Sequence, residues 1–94
     1  MFQNCTEIFW QKHALQRMME RGISRKAVKF AIENGMVIEK YEDDKPFPSF
    51  LVACIKQPKP LHVVISVDAK KLYVITAYYP DSNHFEDDFI TRKK

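Results

Sequence analysis

Ninety-four residues with a net charge of +3, 46% of them apolar and 13% aromatic, describe one small folded domain. That composition excludes wholesale disorder, and the apolar runs fall far short of the roughly 20 residues that cross a bilayer. Met1-Phe2-Gln3-Asn4 lacks the basic-then-apolar pattern of a secretory leader, and two isolated cysteines, Cys5 and Cys54, make neither a disulfide framework nor a paired-thiol metal site. The expectation is a reduced, cytoplasmic protein that needs no cofactor and no metal.

Residues 1–10 form a lead-in in which Glu7-Ile8-Phe9-Trp10 reads either as a short strand or as the approach to a helix. A helix is then predicted from Gln11 to Gly22, a residue free to take the positive φ common just past a helix end. Along it His13, Arg17 and Arg21 recur every fourth position as a polar stripe, beside an apolar face of Ala14, Leu15, Met18 and Met19. Ser24 suits the N-cap of a second helix that runs through Asn34 and is closed by Gly35. Ile23 and Val28 flank that start with the spacing of a hydrophobic staple. The two helices therefore meet at a tight corner.

After Gly35 the apolar period becomes extended. Strands are predicted over 37–41, 50–56, 61–67 and 72–79, rich in β-branched and aromatic residues. An acidic, proline-bearing connection over 42–48 and turns over 57–60 and 68–71 separate them, so the last three strands should form an antiparallel meander. This pairing puts Phe50, Val52, Cys54, Val63, Ile65, Val67, Leu72 and Val74 on one apolar sheet face, which the helices should cover. The opposite face is mixed, with Ala77 on it and a polar end where His62 and Tyr79 should be neighbours. Residues 80–94 form a polar tail with Phe85, Phe89 and Ile90 at helical spacing. The predicted fold is α+β: two N-terminal helices packed on a four-stranded, mainly antiparallel sheet.

Charge is distributed in blocks. Residues 1–30 carry six Lys or Arg against two acids, and residues 51–80 carry four against one, while 31–50 and 81–94 are net acidic. A polyanion would therefore be met by the first helix and the later strands. Within 84–88, His84, Glu86, Asp87 and Asp88 offer a weak metal-binding set without a second imidazole at ligand spacing.

The run His13-Ala14-Leu15-Gln16-Arg17-Met18-Met19-Glu20-Arg21-Gly22-Ile23-Ser24 resembles the start of a family of small prokaryotic proteins, the domain of unknown function family 4258. Pro60-Leu61-His62-Val63-Val64 and Val74-Ile75-Thr76-Ala77-Tyr78-Tyr79-Pro80 look like that family's other two signatures, and the resemblance covers about residues 11–92. The family is similar to BrnT-like and RelE-like ribonuclease toxins. The resemblance therefore implies a RelE-like or BrnT-like fold and a toxin of a type II toxin–antitoxin module that cleaves messenger RNA without a metal. It also implies a neutralising antitoxin of the zinc-ribbon or helix-turn-helix type.

Metal-free RNA cleavage needs a base for the 2′-hydroxyl, cations for the phosphate and an acid for the leaving oxygen. His13 and His62 suit the acid and base roles, since free imidazole titrates at about pH 6.5. Arg17 and Arg21 suit a phosphate clamp, with Arg92 closing over it, and Tyr78 or Tyr79 suits base stacking or proton supply. On this reading His13, Arg17, His62 and Tyr79 are catalytic, and Arg21, Tyr78 and Arg92 bind substrate. The alternative is a non-catalytic module that binds nucleic acid or protein, favoured by the scarcity of cations within the strands: Lys56, Lys59, Lys70 and Lys71 all fall at strand ends or turns.

Overall fold

The fold is seen in a computed structural model that describes residues 7–45, 47–56, 59–81, 88 and 90. Its elements are β1 (Glu7–Trp10), α1 (Lys12–Arg21), α2 (Arg25–Asn34), β2 (Met36–Tyr41), β3 (Ser49–Cys54), β4 (Leu61–Asp68) and β5 (Lys71–Tyr78). They form a five-stranded sheet in the order β1-β5-β4-β3-β2. The expected four-stranded, mainly antiparallel sheet behind two N-terminal helices is thereby corrected. The helices follow a strand, and that strand, β1, pairs in parallel with β5 to make the sheet mixed. Four residues are too few for a two-residue period to declare itself. The lead-in becomes a strand because Ile8 and Trp10 pack into the core from alternate positions.

The helix boundaries follow from their caps. Gly22 adopts the left-handed conformation (φ 67°), and Ile23 donates its backbone N–H to the Met18 carbonyl at 2.8 Å while Gly22 donates to Met19 at 3.3 Å. This paired closure satisfies two end carbonyls and brings apolar Ile23 back to the helix end. Two residues on, the Ser24 hydroxyl accepts the Ala27 N–H at 3.0 Å and starts α2. Asn34 ends α2, and Gly35 continues in extended backbone (φ −85°, ψ −175°) directly into β2.

The antiparallel meander β3-β4-β5 is present, and β2 extends it at the far edge. All eight side chains expected on one sheet face do pack against the helices: Val52, Cys54, Val63, Ile65, Leu72 and Val74 are buried, with Phe50 and Val67 at the margin. Ala14 and Met18 of α1 and Val28, Ala31 and Ile32 of α2 meet them there. α1 lies along β5, and α2 spans β3 and β4. Met19, expected on the apolar face, instead points to water with 84% exposure, because the buried stripe of α1 is narrow and centres on Ala14 and Met18.

One dislocation alters the second face. Val64 pairs with Thr76 but Ile65 pairs with Val74, so Ile75 is an extra residue in β5. Beyond it the inward phase of β5 is reversed. Ala77, expected on the outer face, is fully buried in the helix-side core, and Tyr78 rather than Tyr79 stands opposite His62.

Gly35 sits where there is no room for a side chain. A Cβ there would lie 2.5 Å from the Ala31 carbonyl oxygen, 2.7 Å from that of Ala53 and 2.8 Å from Val52 Cγ1. Two of those three neighbours are backbone and cannot swing aside. Gly35→Ala is therefore expected to lower stability by about 2–3 kcal/mol in urea titration, as overpacking does.

Candidate functional site

The expected site residues do not come together. β4 alternates, so with Leu61 and Val63 in the core beneath the helices, His62 between them faces the other side of the sheet. His13 and Arg17 lie on the outside of α1, exposed to solvent. The sheet thus separates the two imidazoles, and the proposed acid–base pair has no shared hollow. Arg92 lies outside the described residues, as do Cys5 and the His84–Glu86–Asp87 set.

Arg17, Arg21, His62, Tyr78 and Tyr79 each have an identifiable partner. Arg17 pairs with Glu20 at 3.1 Å on a half-exposed helix surface, where such a pair adds little to stability. Arg21 donates from Nη1 to the Ala77 carbonyl at 2.8 Å. Helix geometry explains why the stripe splits. Positions four apart rotate by about 40°, whereas Arg21, seven residues after Ala14, falls about 20° from that buried position. Arg21 therefore turns toward β5. Pairing with β1 ends at Trp10–Val74, so Ala77 lies in the stretch of β5 that β1 does not reach, and the guanidinium supplies a donor there.

His62 is fully buried, with Nδ1 3.3 Å from the Tyr78 hydroxyl and the two rings edge to face at 5.3 Å. Tyr79, just past the strand, is 37% exposed, and the Lys59 ammonium sits 4.9 Å from its ring centre. His62 and Tyr78 form an interior contact of the outer sheet face. Tyr79 belongs to the rim.

Two arrangements stand out on the two sides of the molecule. On the helix side, Lys12, Arg17, Arg21, Arg25, Lys26 and Lys29 are all exposed, with Glu20 and Glu33 as the exposed acids of the two helices. Arg25 also lies over the Trp10 ring at 5.7 Å. The second arrangement was not legible in the sequence. A half-open cavity of about 520 Å³ lies on the outer face, bounded by the sheet residues Ser49, Ser66, Tyr73 and Ile75, by Gln11, and by Asp44, Lys45 and Phe47 of the connection. Ser49, Ser66 and Tyr73 are cross-strand neighbours in one row. Their shared row was implicit in the strand pairing, but the acidic connection gave no sign that it folds back over them. Among the described residues no group of three His, Cys, Asp or Glu side chains is placed to hold a metal ion, and no helix is long and apolar enough to cross a membrane.

These placements assign His62 and Arg21 to structure. His62→Ala should cost about 2–3 kcal/mol in denaturant titration, from the cavity left and the lost Tyr78 contact. Arg21→Ala should cost about 1–3 kcal/mol, because it leaves the carbonyl of buried Ala77 without its donor.

Neither a curated protein nor a solved structure matches the chain. A family match covers residues 10–79 and is described as a domain of unknown function, DUF4258; it carries no link to BrnT-like or RelE-like toxins. The match takes in both helices and every described strand except the first three residues of β1, and on that span the chain belongs to the DUF4258 family.

Proposed function

We propose that this domain is a non-catalytic nucleic-acid-binding module that grips a phosphate backbone with the outer surfaces of α1 and α2. The observation that carries the reading is the exposed set Lys12, Arg17, Arg25, Lys26 and Lys29, met by only Glu20 and Glu33 on the same two helices. Five cations on one layer of a small domain create a local potential well above what a net charge of +3 suggests. Long cationic side chains at irregular spacing suit phosphates, which carry no sequence information, better than base edges. Recognition on this reading is electrostatic and tolerant of sequence.

The ribonuclease reading is supported by a narrower observation: His13 and Arg17 stand exposed one turn apart on α1. An imidazole and a guanidinium so placed can address one phosphate. Among the described residues His62 does not stand beside them to supply the second proton transfer, which is why binding without cleavage is the better-supported function. On the toxin reading, an acidic antitoxin segment would cover these same helices.

The test is a binding titration with single-stranded RNA oligonucleotides across a salt series, in the presence of chelator. Affinity should fall with a log–log slope of about −2 to −4, as expected if three to five phosphates are neutralised. The double variant Lys26→Glu, Lys29→Glu should bind at least tenfold more weakly, and the RNA should remain intact. Cleavage that disappears in His13→Ala would establish the ribonuclease instead. Absence of binding at low salt would overturn both.

A further inference from the structure

The outer-face cavity plays no part in the nucleic-acid reading, which uses the opposite side of the sheet, yet its walls are chemically selective. Two of its lining residues are buried serines, Ser49 at 1% and Ser66 at 8% exposure. Each hydroxyl has a single proton, and both protons are committed inward. Ser49 donates to the Asp44 carboxylate, and Ser66 donates to the Pro48 carbonyl at 3.0 Å. What these hydroxyls keep for a ligand is lone pairs. The Asp44 carboxylate is an acceptor as well. This wall therefore favours a ligand that brings N–H donors.

The other walls differ. Tyr73 is stacked against Phe9, with ring centres 5.2 Å apart and planes 21° from parallel, so its ring is held in a fixed plane. Phe47 and Ile75 add apolar surface, and Lys45 is the one cation among the described lining residues. Gln11 adds an amide. It occupies the N-cap of α1 without a side-chain cap hydrogen bond, so the helix does not consume that amide. The volume of about 520 Å³ lies inside the range of roughly 300–1,000 Å³ typical of small-molecule sites.

We propose that this cavity binds a mononucleotide whose base carries an exocyclic amino group. The base lies against the Tyr73 and Phe47 walls, its amino group donates to the acceptor set of Ser49, Ser66 and Asp44, and its phosphate is met by Lys45. A planar, amino-bearing ring with an anionic tail uses every wall of the site. An aliphatic ligand would leave the aromatic walls unmatched, and a purely cationic amine would leave Lys45 without a counter-charge.

The experiment titrates the intact protein with AMP, CMP, UMP and adenosine, read by calorimetry and by amide chemical shifts. AMP and CMP should bind at one site with shifts confined to Gln11, Asp44, Lys45, Ser49, Ser66 and Tyr73. UMP presents a carbonyl where CMP has its amino group and should bind about tenfold more weakly, as a lost buried hydrogen bond predicts. Adenosine should bind more weakly than AMP, and Lys45→Ala should abolish that difference. Asp44→Asn should erase the preference of CMP over UMP, and it is chosen because it keeps the size of the side chain. Equal affinity for CMP and UMP, shifts on the helices instead of the cavity, or no binding by a protein whose spectrum is that of a folded chain would overturn the proposal.

Discussion

The extra residue at Ile75 is the constraint on which both faces of this molecule depend. An unbroken β5 keeps a single alternation and would turn Ala77 away from the helices, leaving a gap where α1 lies along the strand. With the dislocation, Leu72 and Val74 before it and Ala77 after it all enter the same core. The Ala77 carbonyl then lies where Arg21 can reach it, and Tyr78 stands opposite His62. Helix position, edge closure and the outer-face contact thus share one cause.

The helices were legible because their signals are local. Gly22, Ser24 and the change of period at Gly35 act within a few residues, and each helix ends within one residue of its signal. The eight core positions of the sheet were legible because alternation within each strand is insensitive to how strands are ordered. Three things were not legible. The four residues of β1 are too short to show a period, so the parallel edge was missed. The dislocation at Ile75 shows only in the pairing of β5 with β4, which no window within β5 contains. Convergence of His13, Arg17 and His62 was inferred from residue type, and a strand's alternation places His62 on the far side from both.

The sheet divides two kinds of chemistry. One side offers mobile cations on helices, suited to long polyanions and sensitive to salt. The other offers buried hydroxyls, a carboxylate and a fixed aromatic plane around a cavity, where directional bonding rather than net charge decides what fits. Arg21 crosses between these worlds in only one respect: its stem belongs to the basic helix, and its head serves the sheet edge.

The parallel pairing of β1 with β5 has a consequence for the order in which this chain can fold as it is synthesised. Residues Glu7–Trp10 emerge before either helix, but their register partners, Lys71–Val74, belong to the last of the described strands. The hairpins of β3, β4 and β5 can form from near neighbours, whereas this edge must close a loop of more than sixty residues, a slow and entropically costly step. Until then the Ile8 and Trp10 side chains have no β5 to lie beside. On a ribosome, β1 is a waiting apolar segment while residues 11–70 are made, and its docking marks completion of the sheet.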